Sequence, residues 1–199
     1  VYEIGEVVVS ADPKTVGDLS QQPFSYSRMS EKDIERFGVR SLKDASAFVP
    51  NLFMPDYGSR LTSAIYIRGI GSRINTPAVG LYVDDAAYSD KSAFDMSFLG
   101  VDRIEVLRGP QSTLYGRNTM GGLVKVYTRD PRRGGTEIKL GGSTKDARRY
   151  MQFLTSHALG SDFSFSIGGF YDANDGYNRN AYLDKRSNGS ESGGGKLRL

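Results

Sequence analysis

From Ser30 to Val49 the apolar positions recur at helical spacing. Ser30 is placed to cap, Asp33 follows three residues later, and Ile34 and Phe37 share a face before Gly38 stops the turn. Ser41 opens a second short helix with Leu42, Ala45 and Phe48-Val49 on its apolar side, ending before Pro50. Ahead of them residues 1–29 are mostly polar and extended in character, with Glu6-Val7-Val8-Val9-Ser10-Ala11 as their β-favouring run. From Asn51 the texture changes to short strands and glycine turns. Ala64 to Arg68, Val79 to Val83, Val101 to Arg108 and Leu123 to Thr128 read as strands. Gly69, Gly71, an Asp84-Asp85 turn, Gly109-Pro110 and Gly121-Gly122 punctuate them. This span is expected to be an α+β globular unit.

Asp130-Pro131-Arg132-Arg133-Gly134-Gly135 reads as a hinge, and beyond it the period becomes two. Thr136, Ile138 and Leu140 alternate with Glu137, Lys139 and Gly141. Phe163, Phe165, Ile167, Gly169 and Tyr171 alternate with Ser164, Ser166, Gly168, Phe170 and Asp172. The second run is long enough to cross a bilayer as a tilted strand, which takes about 9–11 residues. Arg149 to Leu159 is a less clean strand, and Lys196 to Leu199 begins a fourth. The connections alternate too: Gly160-Ser161-Asp162 is tight, whereas Asn174 to Gly195 is long, polar and glycine-rich. Tight turns on one side and longer loops on the other suit a membrane barrel. A water-soluble antiparallel sheet with one wet face gives the same alternation, and the pattern leaves both open.

Composition narrows the chemistry. With 199 residues there is length for a sizeable core. No Cys excludes disulfides, thiolate metal sites and cysteine nucleophiles, and a single His, His157, excludes a multi-histidine metal centre. A net charge of +3 with scattered Lys and Arg gives no nucleic-acid stripe. No Gly-x-Ser-x-Gly elbow accompanies the Ser, His and Asp residues, and the carboxylates near Asp84, Asp85, Asp90 and Asp95 lack a calcium-loop spacing. No catalytic residue, metal or cofactor is assigned. No stretch approaches 18 consecutive apolar residues, which excludes a transmembrane helix but not membrane strands.

The span Val101-Asp102-Arg103-Ile104-Glu105-Val106-Leu107-Arg108-Gly109-Pro110-Gln111-Ser112-Thr113-Leu114-Tyr115-Gly116-Arg117-Asn118-Thr119-Met120-Gly121-Gly122 resembles the signature of the plug domain of TonB-dependent outer-membrane receptors. Ile67-Arg68-Gly69 and Tyr82-Val83-Asp84 precede it in that family's order, and the resemblance covers residues 6–129 or thereabouts. It implies an α+β plug domain followed by antiparallel transmembrane β-barrel strands, the barrel incomplete in this chain. Residues 1–29 would be an N-terminal extended segment, 30–130 the plug, and 131–199 the first three to four strands of a barrel that in this family has about 22. The chain is then expected to be the N-terminal piece of a longer receptor. Such a receptor sits in the outer membrane of a Gram-negative bacterium and takes up a scarce nutrient, foremost a ferric siderophore or similar iron complex. Cobalamin or oligosaccharide uptake and ligand-sensing signal transduction are the alternatives.

The resemblance also implies site residues. Glu6, Val7, Val8, Val9, Ser10 and Ala11 look like a TonB box, which would pair as a strand with the TonB C-terminal domain. Arg68 and Arg108 are expected to anchor the plug to the barrel, with Glu105 as a possible local partner. Tyr57, Arg60, Arg73, Asn75, Tyr88 and Lys91 are candidates for contact with an anionic or hydroxyl-rich small-molecule ligand. Outer-membrane lipid is the remaining partner, and nucleic acid is not one. Gly69, Gly109, Gly116, Gly121 and Gly122 read as turn positions of positive φ. Two positions depart from the family pattern: Asp85 stands where a glycine is common, and Lys125 interrupts an apolar run.

Overall fold

The computed structural model describes residues 25–199 except 56, 58–63, 74–75, 161, 177 and 183. The expected TonB box at Glu6 to Ala11, together with Arg60 and Asn75, therefore lies outside the described residues. The chain forms two compact units, one of residues up to Met96 with Arg103–Tyr127, the other of Ser97–Asp102 with Thr128–Leu199.

The first unit begins with strand β1 (Ser25–Ser30) and the short helices α1 (Glu31–Arg36) and α2 (Leu42–Ser46). Both expected N-caps form: the Ser30 hydroxyl accepts from Asp33 N while Asp33 accepts from Ser30 N, and Ser41 accepts from Asp44 N. These bonds hold the Asp33 carboxyl below its ordinary range, the Ser30 hydroxyl contributing most. Next come β2 (Leu52–Phe53), β3 (Tyr66–Ile67) and β4 (Ile70–Gly71), joined in a small antiparallel sheet. They are followed by β5 (Val79–Val83), β6 (Ala86–Tyr88), β7 (Val101–Arg108), the single-turn helix α3 (Ser112–Tyr115) and β8 (Gly122–Thr128). The central sheet runs β1-β7-β8-β5-β6. β5 and β8 are parallel, while the β1–β7 and β5–β6 pairs are antiparallel.

Alternation gives this sheet two faces. Leu107, Leu123, Tyr82 and Tyr115 form one buried cluster, with Tyr26 packed against it. Ile104, Val106, Val79, Leu81, Val124 and Val126 point the other way and are all buried to within 1%. At about 25 cal/mol per Å² of apolar surface, these two layers are the main source of the unit's stability. The small sheet closes onto Gly121 and Gly122. A Cβ at Gly122 would stand 2.3 Å from the Leu107 carbonyl oxygen, and one at Gly121 2.8 Å from that of Ile70. Gly122, like Gly69, Gly109 and Gly116, has positive φ. Gly121 does not, so close approach of backbone, rather than a turn conformation, demands it.

The second unit is a meander of long strands: β9 (Gly135–Ser143), β10 (Arg148–Leu159), β11 (Phe163–Asn174) and β14 (Ser190–Arg198), in sheet order β14-β11-β10-β9. Strands β12 (Asn178–Asn180) and β13 (Lys185–Ser187) form a separate hairpin within the β11–β14 connection. The fourth strand thus starts at Ser190, not Lys196, and the connection carries structure of its own. Register places Ile138, Leu140, Met151, Phe153, Phe163, Ile167, Tyr171 and Leu197 on one face, and all eight are exposed. The opposite face carries Gln152, Leu154, Ser156, Ser166 and Asp172, and here Leu154, Ser156 and Ser166 are buried. The segment Ser97–Asp102 contacts that polar face. Gln152 donates to Phe98 O at 2.9 Å, and a Cβ at Gly100 would meet Leu154 at 2.6 Å. Across strands Arg148 grips Asp172 through two nitrogens. His157 sits on the apolar face, its ring 5.8 Å from that of Phe165 and its Nε2 3.1 Å from Thr155 Oγ1.

Candidate functional site

Two groups of expected site residues are built on the first unit. The first is the turn at Pro50-Asn51, where both signature arginines converge. Asn51 has φ of 61°, which suits an asparagine, and its carbonyl accepts the backbone N–H of Arg68 at 2.9 Å. Arg108 is 9% exposed and donates through Nη1 to Pro50 O at 3.0 Å. Its Nε and Nη2 donate to Ser25 Oγ at 3.1 and 2.8 Å, and Nη2 also to Tyr26 O at 3.1 Å. Arg108 therefore braces β1 and the turn after α2 inside the unit. Glu105 is not its partner. Residues 105 and 108 lie an odd number of positions apart on one strand, so they face opposite sides. Glu105 instead accepts from Arg103, two residues away on its own face, at 2.9 Å.

Arg68 is different. It is exposed, and it opens the β3–β4 turn with φ of 52°, followed by Gly69 at 79°. A residue with a side chain in the left-handed region is strained, and such positions gather at functional sites. Its Nη1 comes within 3.8 Å of the Cβ that a side chain at Gly109 would have, so its guanidinium lies over the backbone just past Arg108.

The second group is aromatic. The Arg73 guanidinium stands over the Tyr57 ring, Cζ 4.5 Å from the centroid, a cation–π contact. Tyr57 is hydrogen-bonded to Tyr66, and that bond, with some burial, holds the Tyr66 phenol above its ordinary range. The exposed ring of Phe53 lies 6.2 Å from that of Tyr66. The structure thus brings Tyr57 and Arg73 together and adds Tyr66 and Phe53, which the sequence reading did not single out. Tyr66 had a signal: strand alternation sends it opposite to buried Ile65 and Ile67, toward the side that Tyr57 also serves. Tyr88 and Lys91 lie on another element, the end of β6 and the start of the 3₁₀ turn Lys91–Asp95, which Asp90 caps by accepting from Ser92 N at 2.8 Å. One guanidinium, two phenols and a phenyl ring can receive an anionic, aromatic or hydroxyl-rich small molecule. They include no nucleophile paired with a general base, the arrangement covalent catalysis requires.

Comparison with known proteins finds relatives of the chain. The family model described as "TonB-dependent Receptor Plug Domain" matches residues 18–123. The pesticin receptor of Yersinia pestis is 31% identical over 127 residues, covering 63% of this chain and 19% of that protein. The vitamin B12 transporter BtuB of Vibrio vulnificus (strain CMCP6) is 27% identical over 177 residues, 86% of this chain and 28% of its own length. Among solved structures, the ferric yersiniabactin uptake receptor FyuA from Yersinia pestis superposes with a TM-score of 0.76 at 25% identity, covering 87% of this chain and 28% of that one. The chain spans about a fifth of the length of the first curated relatives it matches. These relatives are receptors and transporters.

Proposed function

The chain belongs to the TonB-dependent receptor plug-domain family, and from that premise we propose that it works within a nutrient receptor of the Gram-negative outer membrane. Its first unit is the plug, and its second unit is barrel wall. The observation that carries the barrel reading is an inversion. A water-soluble sheet buries its apolar face, whereas here the polar face is covered by Ser97–Asp102 and the apolar face is open. That arrangement suits lipid outside and a polar interior. Such a sheet also requires further strands, because unpaired edges are not viable in hydrocarbon.

The nutrient we infer is a ferric siderophore or a similar iron complex. Support comes from the likeness to the ferric yersiniabactin receptor and from Arg73, Tyr57 and Tyr66, which suit an anionic chelate. Arg60, Asn75, Tyr88 and Lys91 are proposed to extend that contact. Arg68 is proposed to anchor the plug to a barrel carboxylate, the role its exposure and strained backbone leave open. The TonB C-terminal domain is the proposed energy-coupling partner, engaged by strand addition at Glu6 to Ala11. No covalent chemistry is assigned. Cobalamin uptake is the second reading, favoured by the vitamin B12 transporter among the relatives.

Deletion of the full-length gene, followed by growth on single ferric chelates and on cobalamin, separates the readings. A defect confined to one ferric chelate supports the first and a defect confined to cobalamin the second. Normal growth on all of them overturns both. Val8→Pro in the intact receptor should abolish capture of the purified TonB C-terminal domain, because proline removes a strand donor. Undiminished capture would remove the TonB-box assignment.

A further inference from the structure

Lys125 is an ammonium group in the interior of the first unit, 2% exposed. Burying a charge is tolerable only when it is paired. Its Nζ lies 3.2 Å from Asp85 Oδ1 and faces the rings of Tyr127 and Tyr115 at 5.0 and 5.6 Å. Next to it is a second ionic pair, Arg103 with Glu105, the latter also 2% exposed. The Arg103 guanidinium lies 3.6 Å above the Tyr127 ring. Thus one end of the sheet face that elsewhere carries the Leu107–Leu123 cluster is charged.

Asp85 belongs to the two-residue turn between β5 and β6. Asp84 and Asp85 both have positive φ, 47° and 65°, a conformation costly for residues with side chains. The turn is tied to β8 at two points: Asp84 N donates to Val126 O at 3.0 Å, and Asp85 holds Lys125. β6 has little else to hold it. It is the edge strand of the sheet, all three of its residues are exposed, and it pairs with β5 at three positions. Asp85 is 44% exposed, so solvent reaches one partner of the pair and not the other.

We propose that the Asp85–Lys125 pair is a latch that fastens the β5–β6 turn to β8 and thereby fixes β6 and the segment that follows it. The β5–β6 hairpin reverses the chain, so this turn lies at one end while the start of β5 and Tyr88 lie at the other. Opening the latch frees β6, with Tyr88 at its end, while β5, β8, β7 and β1 stay paired. The closed state is the default, because opening leaves the Lys125 charge buried without its carboxylate. The latch belongs to the plug fold and operates whatever ligand the receptor takes.

Hydrogen–deuterium exchange on the full-length receptor in lipid vesicles tests this. Asp85→Asn and Lys125→Met should each speed exchange of the Ala86–Tyr88 amides by about tenfold, with Val106 and Leu107 unchanged. The double variant should match the single ones to within about twofold, because a latch can be lost only once. Rates that multiply to about a hundredfold, no acceleration in Asp85→Asn, or equal acceleration at Val106 and Leu107 would each overturn the latch. Asp85→Gly removes the charge but suits the positive φ better than Asp. It should still speed exchange; slower exchange would mean that turn conformation, not the ion pair, controls the segment, and would refute the proposal.

Discussion

Leu107 on β7 is completely buried, whereas Leu140 on β9 is 71% exposed, although both sit in regular antiparallel strands with apolar neighbours. In the first unit both sheet faces are covered, one by the Tyr115 cluster and one by the apolar layer around Ile104 and Val106. In the second unit one face is covered, and it is the polar one. The same side chain thus answers to two solvents. Water drives leucine into the first unit's interior, while on the proposed barrel wall of the second the surrounding lipid takes the place of a core. Burial alone would rank Leu140 as unimportant; as part of the proposed barrel wall it tolerates truncation but not a charge.

The contrast can be broken by cutting or charging equivalent positions. Leu107→Ala should cost about 2–5 kcal/mol of plug stability, read by denaturant unfolding of the full-length receptor, whereas Leu140→Ala should change little. An equal loss at both sites would mean that the second sheet also packs on a core. Leu140→Arg is next in size. In lipid vesicles it should destabilise folding by about 2–4 kcal/mol if the site lies near the bilayer midplane, and Lys139→Arg on the polar face should be close to neutral. If Leu140→Arg were harmless in vesicles, the apolar face would not meet lipid. Arg108→Lys should cost roughly 1.5–3 kcal/mol, because one ammonium cannot replace hydrogen bonds to Ser25, Tyr26 and Pro50 together. Exchange of the β1 amides should rise with it. The smallest effect is Ser30→Ala, about 1 kcal/mol from loss of the cap. The Asp33 carboxyl in that box is held below its ordinary value of 3.8, so its contribution is present above that pH and fades as pH falls through its lowered folded value. A wild-type acid titration should therefore show a loss of stability that is smaller in Ser30→Ala, which keeps only the backbone N–H donor to Asp33.

Much of this was readable along the chain, for local reasons. The strand Val101–Arg108, the Ser30 and Ser41 caps and the Asp84-Asp85 turn all depend on neighbours in sequence, and each formed where its residues indicated. Strand β1 was legible only as extended chain, because Ser25-Tyr26-Ser27-Arg28-Met29-Ser30 has a single buried apolar side chain. It is a strand because β7, with Arg108 at its end, holds it there from far along the chain. Helix α3 and the β12–β13 hairpin are too short to show a period. Asp85 and Lys125 stood out separately as departures from the family pattern. Their distance of 3.2 Å makes them one feature, and no spacing of 40 residues along a chain announces that. At the candidate ligand group, Tyr57 and Arg73 were legible as types in loops, but the ring-over-guanidinium contact and the addition of Tyr66 arise from tertiary placement.

The place of Arg108 has a mechanical consequence. Its side-chain bonds go to Ser25 and Tyr26, the first two residues of β1, and β1 is an edge strand whose register runs from Ser25 opposite Arg108 to Ser30 opposite Arg103. Tension on the chain ahead of Ser25 enters the sheet at that end. The guanidinium and the Ser25–Arg108 backbone pair share that load at the end of the ladder. One arginine thus reinforces the end of the sheet where that tension arrives.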